Sequence, residues 1–217
     1  MQFSLFDDGC NAGAAPQKLA LPGADVTYIP GWLGPDDADA LYASLASSLN
    51  WSQDTIKLFG KPVKIPRLQA WYGDAVSEYS YSGLTMVPRP WTADLLALKT
   101  RCENTAGCRF NSVLANWYRH GQDSMGMHAD DEKELGVQPV IASVTLGEAR
   151  PFLFRHRSGA PSVKVSLEHG SLLIMQGDTQ RNYLHGINKT TRHVDGRINL
   201  TFRFIYPAVP EQNPCKM

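Results

Sequence analysis

The chain has 217 residues, a formal net charge of zero, and 43% hydrophobic, 10% aromatic and 19% charged residues. That balance suits one folded domain and speaks against a disordered chain, while the neutral charge gives no overall attraction to nucleic acid or anionic lipid. No apolar run reaches the length of a membrane span, and Met1–Gly9 lacks the basic and apolar regions of an export signal, so a cytoplasmic location is expected. Cys10, Cys102, Cys108 and Cys215 show no CxxC spacing and are read as reduced thiols.

Residues 1–20, with their Gly/Ala/Pro-rich stretch from Gly9 to Pro16, are expected to form a flexible segment. Residues 21–217 are expected to form a single domain, with helices in 21–108 and a β core in 109–206. Gly34-Pro35-Asp36 followed by Leu41, Leu45 and Leu49 predicts a capped amphipathic helix, and Trp91, Leu95, Leu98 and Cys102 predict a second one after Pro90. Between them, Ile56 to Tyr72 and Ser77 to Leu84 are rich in turn residues and aromatics, with a hairpin tip at Phe59-Gly60-Lys61-Pro62.

From Phe110 the helical period disappears. Strands are predicted at Phe110–Tyr118, Val140–Leu146, Pro151–Arg155, Val163–Leu167, Ser171–Met175, Asn182–His185 and Arg197–Ile205. The expected fold is therefore mainly β with N-terminal helices (α+β), a jelly roll carrying the helices on its outside. Basic residues gather at Lys57, Lys61, Lys64 and Arg67 and again at Arg150, Arg155, Arg157 and Lys164. Each run reads equally as a phosphate-binding surface or a solvated face.

Gly126 to Glu132 packs one histidine and three carboxylates into five consecutive positions. On extended backbone His128 and Asp130 project to the same side, a spacing that suits a metal. His185, at the end of a predicted strand before Gly186, is the best candidate for a second histidine. Two histidines and one carboxylate leave three coordination positions open, the facial arrangement of non-haem Fe(II) oxygenases. A lone H-x-D is also common by chance.

The last predicted strand adds a second signal. Alternation places Arg197, Asn199, Thr201 and Arg203 on one face and Ile198, Leu200, Phe202 and Phe204 on the other. With the apolar face against the core, the polar face is either a solvated surface with ordinary ion pairs or the seat of a dicarboxylate such as 2-oxoglutarate, held by bidentate arginine contacts. Asn116 and Tyr118, two apart at the end of the strand before the His128 loop, could hydrogen-bond the same oxo-acid or serve as buried core residues.

Taken in order, Phe110-Asn-Ser-Val-Leu-Ala-Asn-Trp-Tyr118, His128-Ala-Asp130-Asp-Glu132, Ile141-Ala-Ser-Val-Thr-Leu-Gly147, His185 and Arg197-x-Asn-x-Thr-x-Arg203 resemble the AlkB family of Fe(II)- and 2-oxoglutarate-dependent nucleic-acid dealkylases, in particular its DNA-repair homologues that act on duplex and single-stranded DNA. The likeness extends upstream through Pro66-Arg-Leu-Gln-Ala-Trp-Tyr-Gly-Asp74 and Tyr79-Ser-Tyr-Ser-Gly83. It implies a double-stranded β-helix with an N-terminal nucleotide-recognition lid, Fe(II) held by His128, Asp130 and His185, and 2-oxoglutarate held by Asn116, Tyr118, Arg197, Asn199, Thr201 and Arg203. It implies a reaction that consumes O2 and 2-oxoglutarate, hydroxylates an N-methyl group and releases succinate, CO2 and formaldehyde.

For the substrate, the resemblance implies that Tyr81, with its neighbour Tyr79, meets a base flipped out of the stack. Asp131 and Glu132 face that base and favour a cationic methylated one. Phe59 beside Gly60 is the apolar finger that fills the vacated stack, while Lys61, Lys64 and Arg67 meet phosphates or the opposite strand. Methylated RNA or protein remains the alternative substrate, and a catalytically silent binding module the alternative class.

A separate signal lies in Gln2-Phe-Ser-Leu-Phe6, which is similar to the peptide that bacterial replication proteins insert into the sliding clamp, with Gln2 as polar anchor and Leu5 and Phe6 as apolar plug. A monomer is expected.

Overall fold

The computed structural model describes residues 15–58, 60–75, 79–81, 84–86 and 88–206. In chain order it contains β1 (Gln17–Lys18), β2 (Asp25–Ile29), α1 (Pro35–Ser48), β3 (Thr55–Leu58), β4 (Lys61–Lys64), β5 (Leu68–Gly73), β6 (Tyr79–Tyr81), β7 (Leu84–Met86) and α2 (Ala93–Ala106). There follow β8 (Ser112–Tyr118), β9 (Met125–His128), a 3-10 turn (Lys133–Leu135), β10 (Ile141–Gly147), β11 (Arg150–His156), β12 (Val163–Leu167) and β13 (Ser171–Gln176), then α3 (Thr179–Asn182), β14 (Tyr183–Ile187) and β15 (Arg197–Arg203). No helix among the described residues is long and apolar enough to cross a membrane.

Two antiparallel sheets face one another. The larger has the order β1-β2-β13-β10-β15-β8-β5 and the smaller β12-β11-β14-β9, which is the double-stranded β-helix expected of the sequence. Helices α1 and α2 cover the outer face of the larger sheet. Helix α1 starts with Pro35 in its first turn beside Asp36 and Asp37, and buries Leu41 and Leu45 four residues apart. In α2 the Thr92 hydroxyl accepts the Leu95 N–H at 3.3 Å, and Leu95, Leu98 and Cys102 turn inward. These side chains meet Val144, Leu172, Ile198, Leu200 and Phe202 in one apolar cluster. A second cluster, with Phe152, Phe154, Leu173, Met175 and Ile187, fills the space between the sheets.

Two departures from the sequence expectations have local causes. The segment from Ile56 to Tyr72 holds a hairpin, β3–β4, and also β5, which joins the larger sheet beside β8. Every residue of β5 after Leu68 is buried, so no alternation marked it as a strand. Asn182 closes the α3 turn instead of opening a strand, and the strand runs from Tyr183 to Ile187. The alternation expected in β15 is present: Ile198, Leu200 and Phe202 pack against the helices, while Asn199, Thr201 and Arg203 look into the jelly roll.

Candidate active site

The site forms where the polar face of β15 meets the smaller sheet. On β14 and β9, His185 and His128 are direct cross-strand partners, with a bulge between His185 and Ile187. Gly186 permits this close pairing: a Cβ there would lie 2.8 Å from the Met125 carbonyl oxygen and 2.9 Å from that of Gly126. The His128 and His185 rings sit 4.4 Å apart, and Asp130 arrives from the loop after β9. The ligand atoms of His128, Asp130 and His185 all lie within 4.8 Å of one another.

Their hydrogen bonds leave the inward atoms available. The Gly126 carbonyl lies 2.9 Å from His128 Nδ1 and can only accept, so Nδ1 is the donor and Nε2 is not used in that bond. Arg203 donates to Asp130 Oδ1 at 2.6 Å, whereas Oδ2 is buried with no hydrogen-bond partner among the described residues and lies 3.7 Å from His185 Nε2. Burial pushes the Asp130 carboxyl up, but Arg203, His185 and His128 together hold it below its usual value, so it is ionised. Burial, reinforced by His128, lowers His185 to about 3, so its imidazole is neutral. Two imidazoles, that of His185 neutral, and one ionised carboxylate with a bare oxygen fit a divalent metal.

Beside this triad the inner face of β15 forms a polar ladder against β10. Arg197 donates to the Thr145 hydroxyl at 2.9 Å, the Asn199 amide to the Ser143 hydroxyl at 2.7 Å, and Thr201 to Asn199 Oδ1 at 3.3 Å. Arg197 is fully buried and its guanidinium lies 5.4 Å from the centre of the Tyr118 ring. Its Nε and one terminal nitrogen have no partner among the described residues, and burial lowers its pKa to about 10. Such donors call for a carboxylate, which fits a dicarboxylic cosubstrate. Asn116, Tyr118, Asn199, Thr201 and Arg203 line one open cavity together with the three metal-binding residues.

The remaining substrate-side residues fall in different places. Gly60 is exposed, with a φ of +78° in the turn after the Leu58–Lys61 pair, and Lys61 is exposed on β4. Phe59, Gln2, Leu5 and Phe6 lie outside the described residues. Tyr79 and Tyr81 lie on β6, paired with Met86 and Leu84 of β7. Asp131 is exposed and joined to Arg157 at 2.7 Å, while Glu132 is half-buried and its Oε2 has no partner among the described residues.

Arg67 requires a correction. It is 4% exposed, and its Nε donates to Asn116 Oδ1 at 2.8 Å, so it supports the cosubstrate strand and does not lie on the surface where a phosphate would meet it. Because that bond occupies the Asn116 oxygen, the amide nitrogen is left as the donor toward the cavity. Arg150, read within a basic run, is also buried and donates to the carbonyls of Asp123 and Asn188 at 3.3 and 2.8 Å. Ser143 and Thr145 escaped the sequence reading as site residues; two hydroxyls on alternate positions of an apolar strand were the signal.

Fold and site together define a metal- and oxo-acid-binding jelly-roll oxygenase. Residues 25–203 match the model of the 2OG-Fe(II) oxygenase superfamily. The chain is 40% identical over 192 residues to the Bos taurus protein named alpha-ketoglutarate-dependent dioxygenase alkB homolog 3, covering 84% of this chain and 66% of that one. It is 36% identical over 208 residues to the Homo sapiens DNA oxidative demethylase ALKBH2, covering 91% of this chain and 79% of the relative. The solved structure titled "The structure of OsALKBH1" superposes with a TM-score of 0.61 at 17% identity, covering 88% of this chain and all of that one, and so shares its fold. The chain belongs to the AlkB family of 2-oxoglutarate- and Fe(II)-dependent dioxygenases.

Proposed function

We propose that this chain is a DNA-repair dioxygenase that removes methyl groups from alkylated bases such as 1-methyladenine and 3-methylcytosine. The observation that carries the reading is one cavity that combines the His128, Asp130 and His185 triad with the inward ladder of β15. A relative 36% identical over most of this chain is named a DNA oxidative demethylase, which favours DNA as the substrate.

When bound, Fe(II) and 2-oxoglutarate supply an oxidant able to hydroxylate an N-methyl group. The chain's own residues hold and orient. Arg197 and the Asn116 amide receive carboxylate oxygens of the cosubstrate, and Tyr118 with Thr201 borders it. Arg203 keeps one oxygen of Asp130 occupied, so the other is turned to the metal. Directly after Asp130, Asp131 and Glu132 place negative charge that favours a cationic methylated base over its neutral counterpart. Tyr79 and Tyr81 stack on the extruded base, and Phe59, next in sequence to Gly60 and Lys61, fills its place in a duplex.

The reading is tested by formaldehyde release, with mass analysis of the base, from 3-methylcytosine in single-stranded DNA, duplex DNA and RNA. Turnover in both DNA forms is expected, with Phe59→Ala losing duplex activity far more than single-strand activity. Turnover on RNA alone would overturn the DNA assignment. Gln2, Leu5 and Phe6 are proposed to bind a bacterial sliding clamp, which a titration of clamp with the full chain and with a Leu5→Ala, Phe6→Ala variant decides.

A further inference from the structure

We infer that Gln180 is a positioning residue for the metal centre: its side-chain carbonyl fixes the backbone of Asp130 and ties the loop carrying one ligand to the turn that leads into another. The inference rests on the assignment of His128, Asp130 and His185 as metal ligands.

Asp130 lies beyond the end of β9, where the pairing with β14 has already stopped at His128. Its buried N–H finds its acceptor in Gln180 Oε1 at 3.0 Å. Gln180 is itself 2% exposed, and its amide nitrogen lies 3.7 Å from the sulfur of Met175, which lines the cavity. The amide orientation is dictated by chemistry: a backbone N–H demands an oxygen, which turns the NH2 to the thioether.

The turn that carries Gln180 is itself pinned. Thr179 Oγ1 accepts the Asp25 N–H at 3.0 Å, Asn182 Nδ2 donates to the Gly23 carbonyl at 2.6 Å, and the Tyr183 hydroxyl donates to the Pro22 carbonyl at 3.0 Å. From this anchored turn the chain runs directly into β14 and His185. One helical turn therefore sets both the backbone of Asp130 and the entry of His185. Arg203 holds Asp130 by a side-chain oxygen and Gln180 holds it by the backbone, and these two points aim Oδ2.

The test measures Mn(II) affinity of the full chain by calorimetry, alongside thermal unfolding without metal. Gln180→Met keeps length and approximate volume but removes the acceptor, with Gln180→Leu as a second acceptor-free variant. Gln180→Glu retains an acceptor oxygen, and Asn182→Ala loosens the same turn without touching Asp130. Gln180→Met is expected to weaken Mn(II) binding about 10- to 100-fold, the range for groups that orient a ligand. Gln180→Glu should recover most of that loss, and Asn182→Ala should lower thermal stability with a much smaller loss of affinity than Gln180→Met. Normal affinity in the acceptor-free variants, no recovery in Gln180→Glu, or an equal loss in Asn182→Ala would each overturn the positioning role. Failure of the unaltered chain to bind Mn(II) would instead overturn the metal assignment.

Discussion

On β15, Ile198, Leu200 and Phe202 turn toward Leu41, Leu45, Leu95 and Leu98 of the helices, whereas Asn199, Thr201 and Arg203 line the cavity with Arg197 on the same strand face, and all seven residues are buried. Burial on the first face removes apolar surface from water and stabilises the fold. On the second it strips solvent from two guanidiniums; Arg203 is paired with Asp130, whereas Arg197 keeps two nitrogens without a partner among the described residues, a cost that a bound carboxylate would offset. Truncations on the two faces should therefore separate stability from chemistry.

The largest effect is expected at the metal. Asp130→Ala should abolish metal binding and turnover while the chain still folds by circular dichroism; metal-dependent turnover at the unaltered level would break the ligand assignment. On the outer face, Phe202→Ala should cost about 3–5 kcal/mol in denaturant unfolding, since the ring is fully buried beside Trp91 and Phe110. The fraction that remains folded should bind 2-oxoglutarate normally. Arg197→Met reverses the pattern: cosubstrate affinity should fall at least ~30-fold, as for loss of a buried charge partner, with ligand-free stability unchanged or raised.

A smaller, graded effect follows from His185. Its pKa is 6.5 in an ordinary environment and about 3 in the fold, so between those values the unfolded chain binds the extra proton. Stability without metal should be complete with respect to this group above 6.5 and decline as pH falls toward 3. Its share of the slope approaches about 1.4 kcal/mol per pH unit near the middle of that window. Denaturant unfolding of His185→Gln should lack this share; an unchanged slope would contradict a buried neutral imidazole.

How much was legible in the sequence follows the same division. The alternation in β15 was readable because polar and apolar residues face different surroundings, and the H-x-D spacing was readable because both side chains leave extended backbone on one side. Both helices were legible from leucines at helical spacing. By contrast, β5 is buried throughout and showed no period, and Arg67 looked like one more surface cation until its bond to Asn116 placed it inside. Gln180 carries no pattern at all, because its partner is a backbone N–H 50 positions away. Contacts made by periodicity can be read along a chain, while single long-range contacts to backbone require the fold.

The central claim, that the inner face of β15 is built for a metal-dependent oxo-acid and the outer face for stability, is tested most directly by titrating 2-oxoglutarate into the Mn(II)-loaded chain and into Arg197→Met, with thermal unfolding of both before ligand is added. Metal-dependent binding is expected, and Arg197→Met should lose it without a fall in ligand-free melting temperature. Intact 2-oxoglutarate binding in an Arg197→Met variant of lowered melting temperature would contradict it, because Arg197 would then serve the fold and not the ligand.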